Sequence, residues 1–181
     1  TSGAKTSKEI QPFSIIFPYD ISLVHNGNIT NQTELYDFLK ENKILCETTS
    51  DSEIIFKLFC FFVEENFEKL TDLSIFNAVH KIFNMCRGSY SVIIMIKDYG
   101  LVVFRDRYGI KPLSYYEAEG ELITFSSETS GLNSTNFKDV LNGEIIIINK
   151  NGKEKTNCLR NHDSMNIRPC LFEYIYFARQ D

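Results

Sequence analysis

An α+β fold is predicted, on three observations. Helical periodicity is confined to the first half of the chain, strand-length β-branched and aromatic runs crowd the second half, and the turn signals between those runs suit antiparallel neighbours. Helices and strands do not alternate as in βαβ units, so a parallel sheet is not expected.

Residues 1 to 11 are polar and aperiodic and read as a loop. Residues 12 to 17 and 20 to 25 are short apolar runs split by Pro18-Tyr19-Asp20, which predicts a hairpin-like strand pair. His25-Asn26-Gly27-Asn28 reads as a turn. A first helix is predicted from Asn31, a capping residue with Glu34 three positions on and Leu35, Phe38 and Leu39 at helical spacing. A second follows Thr48-Thr49: Ser50-Asp51-Ser52-Glu53 has the form of a capping box, and Ile54, Ile55, Leu58, Phe59, Phe62 and Val63 continue it. A third runs from about Asp72 to Cys86, with Ile75, Phe76, Val79, Ile82 and Phe83 as its stripe. Beyond Gly88 five segments are strand-like: 90–96, 101–104, 113–116, 122–125 and 144–149. Asn142-Gly143 and Lys150-Asn151-Gly152-Lys153 are turn signals, the latter leading into a last strand near 154–158.

Composition narrows the function classes. At 181 residues, 43% hydrophobic and 24% charged, the chain has the composition of a domain with a core. The net charge of −5 and the lack of a basic stripe argue against nucleic-acid binding. The longest apolar runs, such as 145–148, are too short to span a bilayer. The five cysteines (Cys46, Cys60, Cys86, Cys158 and Cys170) are odd in number and never spaced Cys-x-x-Cys. Cys60 and Cys86 lie in apolar segments, which predicts buried free thiols and a reducing, cytoplasmic setting. No leader-like segment opens the chain, and the glycosylation-type triplets at Asn28, Asn31 and Asn133 are then chance matches. Both ends look cut from something longer.

Four motifs carry chemistry or structure. Asn26-Gly27 is by default a hairpin turn; equally, an Asn amide and a Gly N–H can converge on one oxygen as an oxyanion hole. Asp51 sits at a helix start, where its charge offsets the dipole. It can also hold a ligand ammonium, and its spacing from Asn26-Gly27 lets both face one pocket above a sheet. Arg105-Asp106-Arg107-Tyr108-Gly109-Ile110-Lys111-Pro112-Leu113 reads as a charged turn with Gly109 at positive φ and a partly buried ion network. Ser126-Ser127-Glu128 reads as a strand end. No elbow surrounds those serines, and His25, His80 and His162 form neither a triad nor a metal cluster; His25 reads as a structural histidine.

In this order, His25-Asn26-Gly27, Ser50-Asp51-Ser52-Glu53, the Arg-Asp-x-x-Gly-Ile-Lys-Pro-Leu stretch and Ser126-Ser127-Glu128 resemble the glutaminase domain of class II (N-terminal nucleophile) glutamine amidotransferases. The resemblance covers essentially the whole chain. His25-Asn26-Gly27-Asn28-Ile29-Thr30-Asn31 and the closing 169–179 are most like the purine-pathway, phosphoribosyl-transferring branch, with Gln180 where that branch usually has Pro. Other branches, of the asparagine synthetase or glucosamine-phosphate synthase type, are the alternatives, as is a binding module without a nucleophile.

The resemblance implies an incomplete four-layer αββα sandwich with antiparallel sheets. It implies an N-terminally truncated glutaminase domain over 1–168, with 169–181 leading into an absent phosphoribosyltransferase domain. Asn26 and Gly27 are implied to form the oxyanion hole, Asp51 to bind the glutamine α-amino group and Thr1 to belong to the glutamine-site loop. The catalytic Cys at the N-terminus, and an Arg for the α-carboxylate, are not in the sequence, so the chain alone is expected to be inactive. Thr1 starts a polar loop rather than a strand and is not expected to replace the nucleophile. Expected partners are glutamine and, through the absent domain, phosphoribosyl pyrophosphate, with Mg2+ there and a homo-oligomer when intact. No cofactor is expected in the chain itself: Cys170 alone cannot hold an iron–sulfur cluster.

Overall fold

The computed structural model describes residues 7–16, 19–64, 70–118, 123–132, 135–150, 155–159, 170, 171, 173 and 175. Among the described residues, nine strands and three α-helices run in the order β1 (Phe13–Ile15), β2 (Ile21–Ile29), α1 (Gln32–Glu41), α2 (Asp51–Glu64), α3 (Asp72–Met85), β3 (Gly88–Ile96), β4 (Gly100–Arg105), β5 (Ser114–Glu117), β6 (Ile123–Ser126), β7 (Lys138–Asp139), β8 (Glu144–Asn149) and β9 (Lys155–Leu159). The α+β prediction holds: helices fall in the first half and antiparallel strands dominate the second.

A six-stranded sheet has the order β1-β2-β3-β4-β8-β9, and a three-stranded sheet the order β6-β5-β7. All seven pairings are antiparallel. The large sheet is apolar on both faces along its central strands. One face sends Leu23, Val92, Ile94, Val102, Phe104, Ile145 and Ile147 into the core shared with the helices. The other sends Val103, Ile146 and Ile148 against Leu113, Tyr115 and Val140 of the small sheet and its flanks. The run Ile145–Ile148 therefore belongs to a strand buried on both sides, which is why it lacks alternation. Among the described residues this makes three layers, helices, large sheet and small sheet, in line with an incomplete sandwich.

α2 is the central helix, its apolar residues buried on nearly every side. Ile55, Leu58 and Phe59 are sealed completely. It packs on β2 and against α1 and α3. α3 has the best-defined start: Thr71 accepts from Ser74 N–H and Ser74 Oγ accepts from Thr71 N–H, a reciprocal cap outside the sequence prediction because position N3 is Ser rather than Glu or Gln. At α1 the predicted cap is corrected. The Asn31 side chain makes no cap bond; it donates to Met85 O and accepts from Arg87 N–H, tying α1 to the end of α3 instead.

The ion network predicted for the Arg105-Asp106-Arg107 cluster is also corrected: among the described residues Arg105 and Asp106 hold backbone, and Arg107 donates to the Asn84 side chain. Arg105 donates to the carbonyls of Gly109, Lys111 and Val140 at 2.7, 2.6 and 2.9 Å, and Asp106 accepts from the N–H groups of Tyr90 and Tyr108. Carbonyls in a tight turn cannot all meet strand partners, and a guanidinium fork satisfies three at once. Gly109 takes the expected positive φ, 63°, and Asn142-Gly143 is the expected turn. Lys111 Nζ lies 2.6 Å from Glu173 Oε2, joining this loop to the closing segment. The Asn151-Gly152 turn lies outside the described residues, although β8 and β9 pair as a hairpin would.

Candidate active site

β2 and the first turn of α2 build the site. β2 passes through His25-Asn26-Gly27-Asn28 without turning, so the predicted turn is corrected. Asn26 stays opposite Ser91, Gly27 opposite Tyr90 and Asn28 opposite Ser89. Nine residues of continuous pairing outweigh a local turn preference. Glycine is needed for space: a Cβ on Gly27 would overlap the Ser89 carbonyl oxygen and lie 2.7 Å from both His25 Nε2 and Tyr90 Cα.

The strand's alternation distributes the motif between two faces. His25, Gly27 and Ile29 are buried on the helix side, while Asn26 and Asn28 are exposed on the other. That second face is covered by the small sheet over β4 and β8. The direction of the N–H groups follows from the ladder. Tyr90, opposite Gly27, donates its N–H to Asp106, away from β2. The Gly27–Tyr90 pair thus exchanges no ladder bonds, and the N–H groups of His25, Gly27 and Ile29 point to the edge beyond the end of β1.

Two side chains close that edge. The Gln11 amide acts as a short substitute strand for His25, accepting its N–H at 2.5 Å and donating to its carbonyl at 2.9 Å. Asp51 Oδ2, from the first residue of α2, accepts the Ile29 N–H at 3.1 Å. Between them lies the Gly27 N–H. The Asn26 side chain lies on the face of β2 opposite His25, and Asp51 reaches the strand from α2 at its edge. Asp51 is 4% exposed.

Below the edge, His25 Nδ1 lies 2.9 Å from Ser52 Oγ, which also accepts from Gln11 Nε2 at 3.3 Å. Asp51 Oδ1 is 3.8 Å from the same ring nitrogen. Burial pushes the His25 pKa down to about 4, against the opposing pull of Asp51, so the ring is neutral near pH 7. Its Nε2 is buried with no hydrogen-bond partner among the described residues.

Glu53 does not complete the predicted capping box. Its carboxylate accepts from Glu47 N–H, Thr48 N–H and Thr48 Oγ at 2.6 to 2.8 Å, folding the 47–49 stretch over the start of α2. Ser50 Oγ instead accepts from Ser52 N–H at 3.3 Å. Cys60 and Cys86 are buried free thiols as expected, each pushed up to about 12 by burial and so inert as nucleophiles. Cys170 is a free, half-buried thiol. Ser126 Oγ accepts Glu128 N–H at the end of β6, a structural role. Thr1 lies outside the described residues. Sequence reasoning passed over Gln11, which sits in an aperiodic loop and carried no signal, and read Ser52 only as part of a helix start.

Residues 2–134 match a family described as a glutamine amidotransferase domain. The chain belongs to this family, a family of enzymes acting on glutamine. Amidophosphoribosyltransferase of Escherichia coli is 39% identical over all of the chain, and that of Saccharomyces cerevisiae 34%. Among solved structures, the glutamine phosphoribosylpyrophosphate amidotransferase of B. subtilis, solved with ADP and GMP, superposes with a TM-score of 0.75 at 28% identity over 97% of the chain. The chain spans 37% of the length of the E. coli and B. subtilis proteins and 38% of the yeast protein. No described helix is long and apolar enough to cross a membrane.

Proposed function

We propose that this chain is the glutamine-binding part of an amidophosphoribosyltransferase. In the intact enzyme, glutamine is hydrolysed to glutamate and ammonia. The ammonia then displaces pyrophosphate from phosphoribosyl pyrophosphate, giving phosphoribosylamine for purine synthesis. Residues 1–168 serve the glutaminase reaction and 169–181 lead into the transferase part. That part supplies the phosphoribosyl site and its Mg2+; the present residues need no cofactor. The relatives' names support this branch over the asparagine synthetase and glucosamine-phosphate synthase types. A cytoplasmic setting fits the free buried thiols of Cys60 and Cys86, and the intact enzyme is expected to be a homo-oligomer.

The carrying observation is the edge of β2. The Gly27 N–H and the Asp51-capped Ile29 N–H lie two residues apart, about 7 Å along an extended strand. Glutamine spans that distance. Its reacting carbonyl oxygen would lie near the Gly27 N–H and the Asn26 amide, its α-ammonium near Asp51, and Thr1 alongside. Attack by the N-terminal Cys thiolate of the intact protein puts negative charge on that oxygen, and the two donors stabilise it.

Glutamine hydrolysis by the intact enzyme tests this. Asn26→Ala should lower kcat about 100- to 1000-fold with KM little changed, because the donor acts on charge that develops in the transition state. Asp51→Asn should act mainly on KM. The 181-residue chain alone, without the Cys, should release no ammonia. Full activity in Asn26→Ala would overturn the assignment.

A further inference from the structure

The proposed chemistry does not use His25, yet it is one of the most deliberately held side chains in the structure. Its side chain is completely buried, and its backbone N–H and carbonyl are both gripped by Gln11. Its Nδ1 is tied to Ser52 on α2, and Ser52 is tied back to Gln11. Burying a polar ring with one nitrogen unpartnered among the described residues is costly, and a leucine would fill the same space without that cost. The unpartnered nitrogen abuts Gly27, close enough that a single added methyl there would sit 2.7 Å from it.

Resting on the glutaminase reading above, we propose that His25 is a positioning residue for the oxyanion hole. Its ring, tethered through Nδ1 to Ser52 and set flush against Gly27, fixes the Gly27 peptide relative to α2. The Gly27 N–H and the Asp51 carboxylate are thereby held in one register along the β2 edge. The ring has Gly27 on one side and Ser52, at the α2 entrance, on the other. Gln11 supports the same arrangement from outside, by substituting for a strand at the residue where β1 has ended. His25 itself touches no reacting atom and exchanges no proton in the reaction. Its effect is one of aim, and an error of about 1 Å in aim typically costs 100-fold in rate.

The test measures glutamine hydrolysis by the intact enzyme with His25→Ala, His25→Asn and Ser52→Ala, each checked for folding by thermal melting. Asn places a polar atom near the position of Nδ1, so it retains the tether to Ser52 and loses only the rest of the ring. We expect His25→Ala to lose about 10- to 100-fold in kcat, less than loss of the donor itself, with KM within about threefold of wild type. His25→Asn should recover about tenfold of that loss, whereas a residue that merely fills space would show no such recovery in kcat. Ser52→Ala keeps the ring and cuts the tether; it should lower kcat about tenfold and decides the matter if His25→Ala does not fold.

Wild-type kcat in the folded variants, a rise in KM without a fall in kcat, or no recovery in His25→Asn overturns the proposal. Asn26→Ala separates the two levels. If it is inactive while the His25 and Ser52 variants are fully active, the glutaminase reading stands and the positioning role falls. If Asn26→Ala is itself fully active, the glutaminase reading falls.

Discussion

At the scale of single residues, the site is organised by groups satisfying backbone rather than by groups meeting each other. Asp51, Glu53, Asp106, Arg105 and Gln11 all direct charge or amide dipoles at N–H or carbonyl groups that the strands and helices leave over. His25 differs in holding a neutral ring in a dry place, and this has a consequence for stability. Its folded pKa of about 4 lies below the ordinary 6.5, so between those values the unfolded chain binds a proton that the folded chain refuses. Stability present above pH 6.5 is therefore lost as pH falls toward 4, on the order of 3 kcal/mol. Urea unfolding of wild type and His25→Asn across pH 4 to 7.5 checks this. The difference in stability between them should shrink on acidification, and a pH-independent difference would contradict a buried neutral imidazole.

At the scale of elements, α2 and α3 carry the helical layer by different means. α2 is held by burial. Removing the Phe59 ring should cost about 3 to 5 kcal/mol, since it is fully sealed among other core side chains. α3 begins with a reciprocal cap, and Thr71→Ala should cost about 1 kcal/mol through the orphaned Ser74 N–H. Denaturant midpoints of the two variants measure both, and a Thr71 effect as large as that of Phe59 would contradict the assignment of α2 as the anchor. The stripes of all three helices were legible because 3.6-residue spacing needs no partner to be seen. The caps were less so. Asn31 and Glu53 have capping chemistry, yet nearby loop N–H groups compete for the same oxygens, and in each case the loop won.

At the scale of the whole molecule, the large sheet is the common wall of two cores, and β4 and β8 are buried from both sides. Amide hydrogen exchange should follow this. Protection should be highest in β3, β4 and β8 and least in β1 and β7, the first a three-residue edge strand and the second a two-residue one. Slow exchange in β7 equal to that in β4 would argue against this layering.

The sequence by itself determined the α+β class, the three helices, most of the strands, the buried thiols and the candidate motif residues at 25–28 and 50–53. Periodicity, turn chemistry and the identities at 25–28 and 50–53 are local properties of the chain. Only the tertiary structure decided that Asn26 lies on the face of β2 opposite His25 while Asp51 caps the Ile29 N–H at the strand's edge. It also decided that Gly27 is a point of close strand approach instead of a turn, and that Gln11 and Ser52 lock His25 in place. Each of these depends on which strand pairs with which and where β1 stops, and pairing between segments distant in sequence leaves no mark in the residues of either one alone.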